Sequence, residues 1–308
     1  MTLNPIGSAS RHFLTRRHAT AGNRSFGPPR VGRVLAAAVL LPVNATLAVV
    51  LAVLLAAAVA IAAAARLADA RGRGWARPVA VAGVRAAVQL AAVSALIGWV
   101  VRALPLLLCF VALMYAVAVR TAGRRITGNR TWWWAALPIG AAVLPVLVLL
   151  VLTGLVPVDG IALVPVAGIL IGGALTATAL AGRRALDELR TRRGEVEAGL
   201  ALGMLDRDAR LEIARPAASD ALLPGLDQTR TVGLVTLPGA FVGMLLGGAS
   251  LLPAAAVQLF VLVALMAVQV VAVAVVLELV ARGRLHRADG AGGGKRRASR
   301  TLRGAEGE

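Results

Sequence analysis

Few residues of this chain are equipped for chemistry, and their placement narrows what they can do. The single cysteine, Cys109, lies inside an apolar run, so one chain can form neither a disulfide nor a cysteine metal site. The three histidines, His12, His18 and His286, all lie in the tails. No zinc-protease HExxH, no GxSxG nucleophile elbow and no Walker A phosphate loop occurs. A chain without its own phosphate loop must borrow ATP from a partner if ATP drives it. No bound cofactor is expected in this chain, it is not expected to be an enzyme, and its metal ligands stay unassigned.

The polar residues that remain fall into two groups. One is residues 182–231, with nine Arg and nine acidic residues. A surface for nucleic acid or lipid would be lopsided in charge; a balanced one suits a solvated helix or a protein dock. Arg183/Asp187, Arg184/Glu188, Glu188/Arg192 and Arg193/Glu197 stand four apart, which predicts a helix running on from the preceding apolar segment. The second group lies within apolar runs, where polar side chains are costly. Arg85 and Gln89 are one turn apart; Gln258 and Gln269 are eleven residues apart, near one helical face. Gln269 is expected to brace helices and Glu278 to pair with a nearby Arg.

The elements that must position these groups are membrane spans. A hydrophobic fraction of 58% and a mean hydropathy of +0.79 over 308 residues exceed those of a soluble domain. The apolar residues sit in runs near the roughly 20 residues that cross a bilayer as a helix. Seven are expected: Val34–Ala65, Val81–Val101, Leu106–Val119, Trp132–Val156, Ile161–Ala181, Val232–Gly248 and Ala254–Val280. In the first, Pro42 and Asn44 place the membrane segment after them. Trp132, Trp133 and Trp134 fit an aromatic belt at the headgroups. The fold class is therefore all-α, a polytopic membrane protein. Its domains are a disordered basic tail (1–33), a permease domain (34–281) with a coupling segment (182–231), and a second disordered basic tail (282–308).

The net charge of +18 is nearly all arginine, with Lys295 the one lysine. Arginines concentrate in both tails and in the loops after the first, third, fifth and seventh runs; Arg102 and Asp159 are the charges in the others. This is the pattern of cytoplasmic loops retaining positive charge, and it argues against nucleic acid as a partner. It places 182–231 and the C-terminus in the cytoplasm, with the chain in the bacterial inner membrane. Arg11, Arg16, Arg17, Arg24, Arg30 and Arg33 in the N-terminal tail oppose the same rule.

Within 182–231, Glu197-Ala198-Gly199, Gly203, Ile213 and Pro216 are spaced like the EAA loop of ABC permeases. In that reading a helix ends at Gly203, and a second, about 206–215 with Asp206 as its cap, faces the ATPase. The blocks VPVAGILIGGAL (164–175), EAGLALG (197–203) and LLPGLDQTRTVGLVTLPG (222–239), with RAAVQL (85–90), resemble the FetB-type (UPF0014) permeases. That group includes bacterial iron exporters and plant relatives linked to aluminium tolerance. The likeness covers about residues 45–281. It implies an ABC-type exporter subunit, in which ATP is bound by a separate ATPase, two permease copies form a homodimer in the lipid, and the expected cargo is a metal ion such as iron. The family usually has Gly-Asn-Ala-Met at Gly172-Gly173-Ala174-Leu175, and Pro-Gly-Met-Met at Pro238-Gly239-Ala240-Phe241. An amide and several thioethers are thus absent here. Without the resemblance, an ion-gradient carrier and a membrane scaffold stand as alternatives, the first disfavoured by the lack of a mid-span carboxylate.

Pro238-Gly239 is expected to break the sixth span in its middle, against protein or a water-filled cavity. Gly239, Gly243 and Gly247 form a small-residue stripe suited to close helix packing. The expected path or packing residues are therefore Arg85, Gln89, Pro238, Gly239, Gly243 and Gln258.

Overall fold

The computed structural model describes residues 45–68, 72–100, 103–155 and 160–287. The chain divides after Leu51; of Met1–Leu51 the described part is helical residues 45–51, and all packing below lies within Ala52–Glu308. The expectations for residues 1–33, Pro42, Asn44, Arg102, Asp159 and the tail beyond Arg287 fall outside the described residues.

The described elements are helical, with isolated bridges at Ala68–Gly74 and Val232–Thr236 in place of strands. In chain order they are α1 (Ala45–Ala64), α2 (Ala76–Val100), α3 (Leu104–Ile126), a 3-10 turn (Arg130–Ala135) leading into α4 (Ala136–Leu152), and α5 (Gly160–Thr191). Next come α6 (Arg193–Ala201), α7 (Asp206–Ser219), α8 (Leu223–Thr231), α9 (Gly239–Leu246) and α10 (Leu251–Ala281). Among the described residues six helical stretches are long and apolar enough to cross a membrane: those of α1, α2, α3, α4, α5 and α10. The chain is an all-α, multi-pass membrane protein.

Cross-helix neighbours fix the directions. A Cβ on Gly168 would reach Met114 and one on Gly182 would reach Ile126, so α3 and α5 run parallel. Gly173 faces Leu265 while Asp187 pairs with Arg287, so α5 and α10 run parallel too. Gly123 abuts Trp132 and Gly140 abuts Tyr115, which makes α4 antiparallel to α3. The C-terminal ends of α3, α5 and α10 therefore gather at one end. Arg124, Arg125, Arg190, Arg282 and Arg284 make it the arginine-rich end.

The buried core is drawn from α3, α4, α5, α7 and α10. Alanine and glycine at the crossings let these helices approach closely: Ala122, Ala167, Ala174, Ala181, Ala185 and Ala272 are fully buried. At the arginine-rich end the chain beyond α10 locks the bundle. The His286 carbonyl accepts from Thr127 Oγ1 (2.9 Å) and Asn129 Nδ2 (2.8 Å), and Arg287 donates to the Ile126 carbonyl (2.9 Å). Leu285 is fully buried. Residues 282–287, past the expected boundary at 281, take part in this packing. By contrast, α2 has no buried side chain among its described residues.

Candidate functional site: a coupling hairpin and a broken crossing

The EAA-like stretch forms a helical hairpin. α6 ends in a Schellman closure: Gly203 N donates to Leu200 O (3.0 Å) and Met204 N to Gly199 O (3.1 Å). Gly203 adopts φ +86°, the left-handed conformation that glycine enters without a Cβ penalty. Gly199 has no Cβ to separate α6 from α7; an added one would stand 3.3 Å from Ala209 Cβ and from Met204 Sδ. The helix leaving the bilayer ends at Thr191, because Arg192 breaks the ladder at φ −105°, ψ 33°.

Glu197 lies on the outer side of α6, paired with Arg193 at 2.9 Å, and Ala198 beside it is exposed. The expected Glu188–Arg192 pair is present at 3.4 Å. Arg184 and Asp187 are diverted from their helical partners to Asp220 (3.1 Å) and Arg287, because tertiary partners lie within reach. Arg192 also binds Glu195 at 2.6 Å, which holds that carboxyl below its ordinary range.

Three expectations need correction. Asp206 is the first residue of α7, not its cap; Leu205 holds the cap position with extended backbone, and Asp206 accepts from Arg210 Nε at 3.0 Å. Pro216 does not end α7, which continues to Ser219. Ile213 is buried with Ala209, Leu211, Ala214 and Ala218 on the inner face of α7, so it anchors the hairpin and presents nothing to a partner.

The groups that do face outward went unnoticed in the sequence. Leu202 is 86% exposed and Leu205 72%, with Leu200 and Met204 beside them at the tip. Apolar residues in an alanine- and leucine-rich chain carry no local signal of exposure. Behind the tip, Arg207 grips Glu278 of α10 through Nε and Nη2, both at 2.8 Å, and Arg282 adds a bond of 2.5 Å. The bonds to Glu278, followed by the one to Asp208, hold the Arg207 guanidinium above its usual value. Glu278 thus pairs with an Arg as expected, and one partner comes from α7, 71 residues away.

The other feature is the expected sixth span, and it is not one helix. Residues 232–238 turn irregularly, with Gly233 at φ +81° donating to Thr236 O (2.9 Å) and Val235 N donating to Thr231 O (2.9 Å). α9 then has eight residues. At 1.5 Å per residue it covers about 12 Å of a hydrocarbon core of about 30 Å. Yet α8 follows a segment tied to the arginine-rich end by Asp220–Arg184, while α10 starts at the opposite end, since it runs parallel to α5. Residues 223–250 must therefore cross as a composite of α8, an irregular stretch and α9. Gly225 of α8 abuts the Gln269 amide, twelve residues or about 18 Å from the end of α10.

Gln269 of α10 lies against Gly225 of α8 and close to Gly173 of α5, so its amide stands where three helices meet. Gln258 is 6% exposed and its Oε1 has no hydrogen-bond partner, as is true of Thr178 Oγ1. Pro238 caps α9 at its start, so the break precedes it instead of falling mid-helix. A Cβ on Gly239 or Gly243 would meet nothing within 4 Å. The glycine stripe is therefore not a packing surface for any described helix of the same chain. Arg85 and Gln89 are exposed on α2 and are not brought to this crossing. Among the described residues no three His, Cys, Asp or Glu cluster as metal ligands would.

The two features together, an EAA-spaced hairpin and the broken TVGLVTLPG crossing, meet a matching family description. "Uncharacterised protein family (UPF0014)" fits residues 46–284. The chain belongs to this family. Among UPF0014 relatives it is 39% identical over 150 residues to "Protein ALUMINUM SENSITIVE 3" of Arabidopsis thaliana, covering 48% of this chain and 55% of that one. It is 31% identical over 117 residues to "Probable iron export permease protein FetB" of Escherichia coli (37% and 43%). It is 29% identical over 199 residues to "UPF0014 membrane protein YjkA" of Bacillus subtilis (63% and 79%). The matches span about half the length of the plant relatives. No solved structure matches.

Proposed function

We propose that this chain is the permease subunit of an ABC-type exporter in the bacterial inner membrane, driven by a separate ATP-binding subunit and working as a homodimer. The observation that carries this reading is the α6–Gly203–α7 hairpin. Its tip offers Leu202 and Leu205 to a partner, and its base is clamped to α10 by Arg207–Glu278. α10 in turn touches the broken crossing through Gln269 and Gly225. A push at the tip therefore has a packed route to the irregular backbone of the broken crossing, and irregular backbone at membrane depth belongs beside protein or water. The arginine-rich end is cytoplasmic by the positive-inside rule.

The cargo proposed is a metal ion, iron by likeness to the Escherichia coli relative's name. Carbonyls freed at 232–238 and the unpartnered Gln258 Oε1 supply oxygen donors for such an ion to pass. The open face at Gly239 and Gly243 supports contact with a second copy.

The test is ATP-dependent iron accumulation in inverted vesicles holding this chain with its ATPase subunit. Glu197→Arg is expected to weaken co-purification and transport while membrane insertion stays normal. Transport that proceeds without the ATPase and collapses with an uncoupler would replace this reading with a gradient-driven carrier.

A further inference from the structure

At the arginine-rich end, α3 and the start of α4 enclose an open groove of about 520 Å³ whose lining is almost wholly apolar. Its wall runs from Trp133 and Trp134 past Leu137 and Ala141 to Leu144, with Tyr115 across from them. The Tyr115 hydroxyl is already spent on the Ala136 carbonyl at 2.7 Å, so only its ring faces the groove. From Trp133 to Leu144 the wall extends about 16 Å, half the thickness of a bilayer's hydrocarbon core. One leaflet's acyl chain has that reach.

The mouth of the groove carries positive charge that no carboxylate among the described residues pairs with. Arg284 lies over the Trp134 ring, its Cζ 5.4 Å from the centroid. Arg130 opens the 3-10 turn, in which residues three apart eclipse, so it shares a face with Trp133. Among the described residues neither guanidinium has an ion-pair partner. Trp133 and Trp134 stack at 4.3 Å, giving a flat aromatic shelf beside Arg284. The shelf stands at headgroup depth, as aromatic belts do.

We propose that this groove is a binding site for an anionic phospholipid, with the acyl chain along Trp133–Leu144 and the phosphate held by Arg130 and Arg284. Basic pockets between spans on the positive side bind anionic headgroups for the same electrostatic reason. A second copy of this chain is a poor occupant, since a two-fold contact would bring the same unpaired arginines together. A zwitterionic lipid fills the groove but gives the mouth no net charge to bind.

The experiment uses the full chain in bilayers, with Trp75 and Trp99 replaced by Phe so that fluorescence reports the Trp132–Trp134 cluster. Quenching by brominated phosphatidylglycerol is compared with quenching by brominated phosphatidylcholine. A preference of about thirtyfold for the anionic lipid is expected, from two arginines near the headgroup. Arg130→Gln with Arg284→Gln should bring the ratio close to one while quenching by the zwitterionic lipid stays unchanged, which excludes misfolding. Arg130→Lys with Arg284→Lys should restore the preference. Ala141→Phe, which fills the groove, should lower quenching by both lipids. A preference that survives the glutamine pair overturns the proposal. So does loss of the preference on adding millimolar inorganic phosphate, which would mark a site for soluble anions. Ala141→Phe that splits a dimer and leaves lipid quenching intact would make the groove a subunit interface.

Discussion

Replacing Leu202 and Leu205 together by Asp separates docking from folding, because the structure assigns these side chains no role inside the chain. They are 86% and 72% exposed, so little packing is lost, and an Asp capping α7 at 205 offsets the one at the end of α6, which keeps permease stability within about 1 kcal/mol. Burying a leucine fully is worth about 1.5–3 kcal/mol. If the ATPase covers both, and covers them less completely than a core does, the pair supplies about 2–4 kcal/mol. That predicts affinity weakened roughly 30- to 1,000-fold, at 1.4 kcal/mol per factor of ten. The assay is titration of detergent-solubilised permease with the purified ATP-binding subunit, alongside thermal melting of the permease alone. Unchanged affinity with unchanged melting would refute the reasoning, and the hairpin tip would lose its role. Weakened affinity accompanied by a large fall in melting temperature would also count against it, since the tip would then be structural.

Other outcomes follow from individual positions. Gly123→Ala should destabilise the bundle by about 1–3 kcal/mol, because the new Cβ collides with the Trp132 carbonyl and backbone cannot step aside; thermal melting in detergent checks it. Gly239→Leu should leave stability of the single chain within about 0.5 kcal/mol, as nothing stands within 4 Å of its Cβ, so lost transport there would report on the path or on a second copy. Gly203→Ala should loosen the hairpin through backbone strain alone, about 1–2 kcal/mol, read as faster amide exchange in α6. The Arg192 bond lowers the Glu195 carboxyl, so its contribution to α6 is present above the ordinary carboxylate range and fades as pH falls through the lowered value; Glu195→Gln should remove that acid dependence of α6 amide exchange.

The sequence alone determined the solvent in which this chain folds, its helical class and the location of most crossings. Continuous apolar runs need no tertiary partner to be recognised, because each helix satisfies its own backbone in lipid. Gly203 as the end of α6 was equally legible, since few residues tolerate φ +86°. What the sequence misplaced depends on contacts between distant segments. Val232–Gly248 has the hydropathy of a span, but Gly233 and Pro238 interrupt its helical ladder, and the direction of α10 then obliges the fragments to cross as a composite. Ile213 fitted the motif, yet α7 packs against α5 and α10 with Ile213 on its buried face and leaves Leu202 and Leu205 outside. Arg207 and Glu278, 71 residues apart, meet only because α7 folds back along α10, a consequence of packing that no local spacing encodes.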